Sequence, residues 1–298
     1  MATVPNDLNQ LSRSSADDEE RRPHPSWIAD RLSDRDWQII DATNRLRLVS
    51  GQQLERLCFP TLTGHARSVV RGRVLRRLTR WQVLAVSPRR IGGAARGSAG
   101  AAFALGSVGA RLCRAQQQAV TGVRPRVRLP GIPTERTIRH TLAVSELYVS
   151  LVEQARRQGA SVVSFQAEPA SWWPNGLGGF VKPDAYTLLT RETVRDHWWI
   201  EVDLATESLP TVRRKLETYL DFVHRGQLGP NGVVPRVLVS TITNLHRNDI
   251  LSVVRRLPAP ASALFLVVTQ DEAAGRILQS LRDESELSDT STRSPLPV

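Results

Sequence analysis

Apolar and polar positions along this chain follow two regimes, and the change falls near residue 160. Over 33–49 (SDRDWQIIDATNRLRLV), Trp37, Ile40, Leu46 and Val49 share a helical face, and Ser33 with Asp36 three residues on marks a helix start. Residues 50–58 begin a shorter helix, and 64–81 (GHARSVVRGRVLRRLTRW) predict a third, with Val70, Val74, Leu75 and Leu78 at the 3.6-residue period. The runs QVLAVS and AAFALG flank PRRIGGAARGSAG and predict a hairpin with a long basic tip. Residues 109–133 read as a basic linker punctuated by Pro and Gly. Residues 134–158 predict a long helix that buries Ile138, Leu142, Leu147, Leu151 and Val152 and ends at Gly159. Beyond it, SVVSFQAE, VKPDAYTLL, HWWIEVDLA, PRVLVSTI and SALFLVV have strand length and composition. SLPTVRRKLETYLDFVHR, NLHRNDILSVVRRL and QDEAAGRILQSLR are helical and fall among the later strands. The polar stretches 1–30 and 284–298 read as disordered tails.

The expected class is α+β. Helix, helix, basic helix and hairpin over 31–108 is the order of a winged helix-turn-helix, and the alternating elements over 134–283 form an α/β domain. Charge sharpens the first assignment. The chain has 298 residues and a net charge of +11, and all but Lys182 and Lys215 of its 40 basic residues are arginine. Residues 31–130 carry 19 arginines against four acids, whereas 1–30 carry three basic and six acidic groups. Between Arg56 and Thr134 there are 15 arginines and no Asp or Glu, a run that repels itself unless an anion lies against it. Double-stranded DNA is the expected partner. Arg67, Arg71, Arg73, Arg76, Arg77 and Arg80 on the third helix would meet the major groove, and Arg89, Arg90 and Arg96 at the wing tip would meet phosphates. Cys58 and Cys113 have no metal-ligand spacing, no run reaches the ~18 apolar residues of a membrane span, and the N-terminus is not a secretory signal. A reducing interior, the cytoplasm, is expected.

The α/β part carries the candidate chemistry. A symmetric hairpin folding between Glu192 and Thr193 sets Asp184 opposite Glu201 and Lys182 opposite Asp203, all on one face. Opposed carboxylates need a cation between them, and Mg²⁺ or Mn²⁺ suits hard oxygen ligands. The order helix, strand, Pro-Asp strand, Glu-x-Asp strand, helix, strand resembles the PD-(D/E)XK nuclease-like fold. The resemblance implies that Asp184 and Glu201 hold a metal and that a lysine activates the attacking water. Position 203 is Asp where that pattern has Lys, so Lys215 on the following helix becomes the candidate, with Lys182 the weaker one. Asp203 and Glu146 would add carboxylates to the metal.

With VKPDAYTLL, WWIEVDLATE and RRKLETYLDF behind a winged helix, residues 33–282 resemble the replication-relaxation family of bacterial mobile elements. That resemblance implies DNA binding linked to replication and DNA relaxation on plasmids or conjugative elements, with relaxase or replication proteins as partners. Three functions follow: a DNA-binding protein whose nuclease-like domain is a degenerate scaffold, an active metal-dependent endonuclease that nicks DNA, or a winged-helix transcriptional regulator.

Overall fold

The computed structural model describes residues 25–87, 101–122 and 134–292, with side chains described up to 282. The protein is α+β, with a helical part bearing a small sheet and a second part built on a five-stranded sheet.

The first part runs α1 (Pro25–Ala29), α2 (Asp34–Leu46), β1 (Val49–Ser50), α3 (Gly51–Cys58), α4 (Gly64–Arg80), β2 (Leu84–Val86), β3 (Ala102–Leu105) and α5 (Ser107–Thr121). Capping boxes start α2 and α3: Ser33 with Asp36, and Ser50 with Gln53, each satisfy two otherwise orphaned backbone donors. The apolar stripe of α4 buries Leu75 and Leu78. β3 lies between β1 and β2, antiparallel to both, with Val49 opposite Phe103 and Leu84 opposite Leu105. The helices and hairpin strands occur in the expected order. Arg89, Arg90 and Arg96 of the basic tip lie outside the described residues.

The linker expected over 109–133 is corrected over its first half. Residues 107–121 are helical, and α5 buries Gly109, Ala110, Leu112 and Cys113 against α1 and α2. A Cβ on Gly109 would stand 2.2 Å from the Val83 carbonyl oxygen, so only glycine lets α5 approach this closely. The tail expected over 1–30 also loses its end, since α1 is helical and buries Ile28. At the other terminus α10 (Ala273–Thr292) runs into the stretch expected to be a tail.

The second part opens with α6 (Glu135–Gln158), capped by Thr134 and closed by Gly159 at φ 67°. Its sheet has the order β10-β9-β8-β7-β4, from β4 (Ser161–Ala167), β7 (Ala185–Arg191), β8 (Val194–Asp203), β9 (Arg236–Thr241) and β10 (Phe265–Thr269). β7 runs antiparallel to both β4 and β8, while β8, β9 and β10 are parallel. A small ribbon, β5 (Trp173–Pro174) with β6 (Phe180–Val181), precedes β7. The crossovers are α7 (Leu209–His224) after β8 and α8 (Asn244–Val254) after β9, with α9 (Ala261–Leu264) leading into β10.

Alternation along β8 divides the interior. Trp198, Ile200 and Val202 enter the core that contains α6 and α10, while Trp199 enters the core under α7 and α8. Both tryptophans are fully buried and fill those cores. The first core is continuous across the two parts, joining Ile39 and Leu54 to Leu147, Leu151 and Phe165.

α6 makes that junction. Ser145 Oγ donates to the Leu48 carbonyl at 2.7 Å, and Gln53 Nε2 donates to the Leu142 carbonyl at 3.0 Å. Arg56 ion-pairs with both Glu146 and Glu153. Glu146, expected beside the metal, is held here by Arg56 and Gln53.

Candidate functional site

Asp184 is the residue before β7, and Glu201 lies near the end of β8. The hairpin register runs Ala185 opposite Ile200 to Arg191 opposite Val194, which continues to Asp184 opposite Glu201 as the symmetric fold predicts. The face that holds Trp199 therefore presents Glu201 to α7. Lys215 Nζ sits 2.5 Å from Glu201 Oε2, and the Tyr219 hydroxyl, one turn on, donates to Glu201 Oε1. Asp184 Oδ2 accepts from the Val202 amide at 2.7 Å. Asp184 Oδ1 lies 3.1 Å from His140 Nε2 on α6. Arg136, one turn before His140, donates to Thr206 Oγ1 at 3.1 Å and ties α6 to the loop after β8.

Charge in this quartet divides unequally. Burial would raise the Asp184 carboxyl, but the His140 hydrogen bond, Lys215 and the Val202 amide together hold it below its ordinary value. Burial pushes the Glu201 carboxyl up to about 8, reinforced by Asp184 and opposed by Lys215. Burial also opposes the Lys215 ammonium, but Glu201 and Asp184 outweigh it, and the lysine stays protonated beyond its usual range. The hydrogen bond to Asp184 raises His140 in spite of its burial. The two facing acids thus ionise far apart, Asp184 first, with His140 beside Asp184 and the Lys215 ammonium beside Glu201.

The other expected members are elsewhere. Asp203 does not pair with Lys182: its Oδ2 lies 2.7 Å from His246 Nε2 on α8, and its Oδ1 accepts from the Ala205 amide. Lys182 is exposed and stands 4.8 Å over the Trp172 ring. Lys215, the candidate lysine, is bound to Glu201. His140 and His246 carried little signal in the sequence, since His140 has no His, Cys or acid three or four residues away and His246 has only Asp249.

The donors do not fit a divalent cation. Among the described residues no three His, Cys, Asp or Glu side chains converge on a common point. Each oxygen of Asp184 and Glu201 already faces a hydrogen-bond donor or a cation. The adjoining cavity, lined in part by Glu201, Asp203, Glu207 and Lys215, measures about 20 Å³, room for one water. Hydrated Mg²⁺ keeps several waters and needs more.

A family model described as replication-relaxation matches residues 42–237. The chain belongs to the replication-relaxation family. No curated protein and no solved structure matches it. As a replication-relaxation protein it has a replication-related role, and the match takes in α4 as well as His140, Asp184, Glu201 and Lys215. Among the described residues of this replication-relaxation protein, no helix is long and apolar enough to cross a membrane.

The arginines of α4 sort into two sets. Arg67 and Arg71 pair with Glu55 on α3. Arg77 donates to both oxygens of the buried Asp36 at 2.6 Å. The counter-charges missing from the run after Arg56 come from just before it. Arg73, Arg76 and Arg80 are exposed, follow i, i+3, i+7 spacing and form no ion pair among the described residues. With Val70, Val74 and Arg77 they line a groove of about 600 Å³.

Proposed function

We propose that this protein binds double-stranded DNA through its N-terminal part and serves the replication and relaxation of a plasmid or conjugative element. In this reading the N-terminal part is a winged helix with α4 in the major groove. The C-terminal part is a PD-(D/E)XK nuclease-like framework kept as a scaffold. The observation that carries the reading is the line of Arg73, Arg76 and Arg80, exposed and free of carboxylate partners among the described residues. Guanidinium groups on one helix face suit bidentate contact with phosphates and with guanine edges. Two features support the rest of the reading: the order helix, strand, helix, helix, strand, strand with β3 central, and the commitment of Asp184 to His140 and of Glu201 to Lys215. The test is fluorescence anisotropy of the full chain with labelled duplex DNA at rising salt. Binding should weaken steeply as counterions are released. Binding that is absent at low salt would refute the reading.

The active endonuclease has one observation in its favour, the contact of Lys215 with Glu201, which puts an ammonium beside a carboxylate where phosphodiester chemistry would use both. Supercoiled plasmid incubated with the protein and Mn²⁺ decides between them. Intact plasmid is expected, and nicking that Lys215→Ala abolishes would establish the enzyme. The regulator has no observation of its own.

A further inference from the structure

We propose that the outer face of the β5–β6 ribbon binds single-stranded DNA, with Phe180 as the base-stacking surface and Lys182 as the phosphate contact. Alternation makes the ribbon two-faced. Trp173 pairs with Val181, and Pro174 with Phe180. Val181 is fully buried, and Trp173 packs in the same core under α7 and α8, where its Nε1 donates to the Leu228 carbonyl at 2.9 Å. Pro174 and Phe180 therefore face the other way, and Phe180 is 48% exposed. One step further along the ribbon, Trp172 and Lys182 share that outer side, with the Lys182 ammonium 4.8 Å over the Trp172 ring. The tip is braced by Asn175, whose Oδ1 accepts from the Leu177 amide at 2.9 Å and the Gly179 amide at 3.0 Å. The ring of Phe180 is thus presented to solvent on a ribbon anchored from behind.

Charge selects the occupant. Between Glu168 and Asp184 the sequence has no Asp or Glu. Those two flanking acids are already answered, Glu168 by Arg47 at 3.7 Å and the buried Asp184 by His140. Lys182 and Arg225 are exposed and form no ion pair among the described residues. Arg225 Nη2 donates to the Asn175 carbonyl at 3.3 Å, which brings a second cation to the ribbon. An open aromatic ring among uncompensated cations suits a polyanion that carries aromatic faces of its own. A duplex keeps those faces inside its stack and offers base edges and phosphates, whereas a single strand presents them. The ribbon is separate from the α4 groove, so this inference does not rest on the duplex reading.

The experiment is fluorescence anisotropy of the full chain with fluorescein-labelled oligo(dT) at several salt concentrations. The proteins are the wild type, Phe180→Ala, Phe180→Tyr and Lys182→Gln, and each of these again with Arg73, Arg76 and Arg80 changed to Ala, which removes the attraction of α4 for any polyanion. Phe180→Ala should weaken binding about tenfold with the salt slope unchanged, the loss of one base–aromatic stack. Phe180→Tyr keeps the ring and should bind like the wild type. Lys182→Gln should lower the slope by about 0.7, the share of one phosphate on a single strand. Both effects should persist without the α4 arginines. Phe180 and Lys182 are exposed, and a thermal melt of each variant separates a lost contact from a lost fold. A wild type that does not bind oligo(dT) would overturn the proposal. So would ribbon variants that bind as tightly as the wild type, or effects that vanish with the α4 arginines. A wild-type dimer in sedimentation that Phe180→Ala splits, with oligo(dT) affinity unchanged, would assign this face to a second copy of the chain and overturn it too. Phe180-dependent oligo(dT) binding by a protein that ignores duplex DNA would support this inference while refuting the duplex reading.

Discussion

Six arginines on one helix would ordinarily be treated as one electrostatic surface, but their partners divide them into groups with opposite expected phenotypes. The first perturbation is Arg73→Ala, Arg76→Ala and Arg80→Ala together. None of the three forms an ion pair among the described residues, so their removal costs the fold little. If each neutralises one phosphate, each contributes about 0.9 to the slope of log affinity against log salt, and the triple variant should lose about 2.7. The affinity gap to the wild type should therefore narrow by about 40-fold between 50 and 200 mM salt, since a fourfold change in salt raised to that power is about 40. The matched control is Arg77→Ala. It strips a two-oxygen contact from Asp36, which is fully buried, and leaves that carboxylate with Ser33 alone. The cost should be about 1–3 kcal/mol, visible as a fall of several degrees in Tm. Duplex affinity at several salt concentrations and a thermal melt of each variant complete the assay. A triple variant that keeps the wild-type slope would refute the division, as would an Arg77→Ala protein that melts like the wild type.

Three further outcomes follow. The His140 pKa is raised in the fold, so its stabilising share is complete below its unfolded value of ~6.5 and fades as pH rises through the folded value; His140→Gln should therefore lose more Tm at pH 5.5 than at pH 9, and an equal loss at both would contradict the Asp184 contact. Tyr219→Phe removes a buried donor to Glu201 and should cost about 1–3 kcal/mol in urea unfolding, with no loss expected if the hydroxyl were idle. Arg56→Ala should cost about 1 kcal/mol, discounted because all three side chains are partly exposed, and should raise proteolysis near α6; an unchanged cleavage pattern would argue that the packed core alone holds the junction.

Much of the carboxylate site could be read from the chain because a tight hairpin leaves little freedom. Once the turn lies at Glu192, every cross-strand pair follows by subtraction, which brings Asp184 to Glu201 and leaves Lys215 one helix turn before Tyr219. The same arithmetic failed two residues further out. Pro183 has no backbone donor to extend a ladder, and Val181 already pairs in the ribbon with β5, so Lys182 leaves the register and lies over Trp172. Asp203 then takes His246 from 43 residues away, a pairing that only the β9–α8 crossover creates. Glu146 was expected to add a carboxylate to the metal, but the N-terminal part lies against α6 there and supplies Arg56. The arginine run misled in a related way. Counter-charge was sought inside the segment, while folding brings Asp36 and Glu55 to it from outside. Asp36 was legible as a helix cap and is at once a cap and a counter-ion.

The position of α6 bears on how such a chain can be taken apart. Its 24 residues give a rod about 36 Å long. One end holds His140 against Asp184, and further along Ser145, Glu146 and Glu153 are bound to the first 60 residues of the chain. A fragment cut just before this helix would strip Ile138 and Leu142 of their cover by Leu48, Ala102 and Ala104 and leave the buried Ser145 hydroxyl without its Leu48 acceptor. The fragment on the other side of the cut would lose the same cover. The two parts are thus not interchangeable cassettes. Any exchange of the N-terminal part between relatives must carry the matching face of α6 with it, so this helix should be inherited with the part that precedes it.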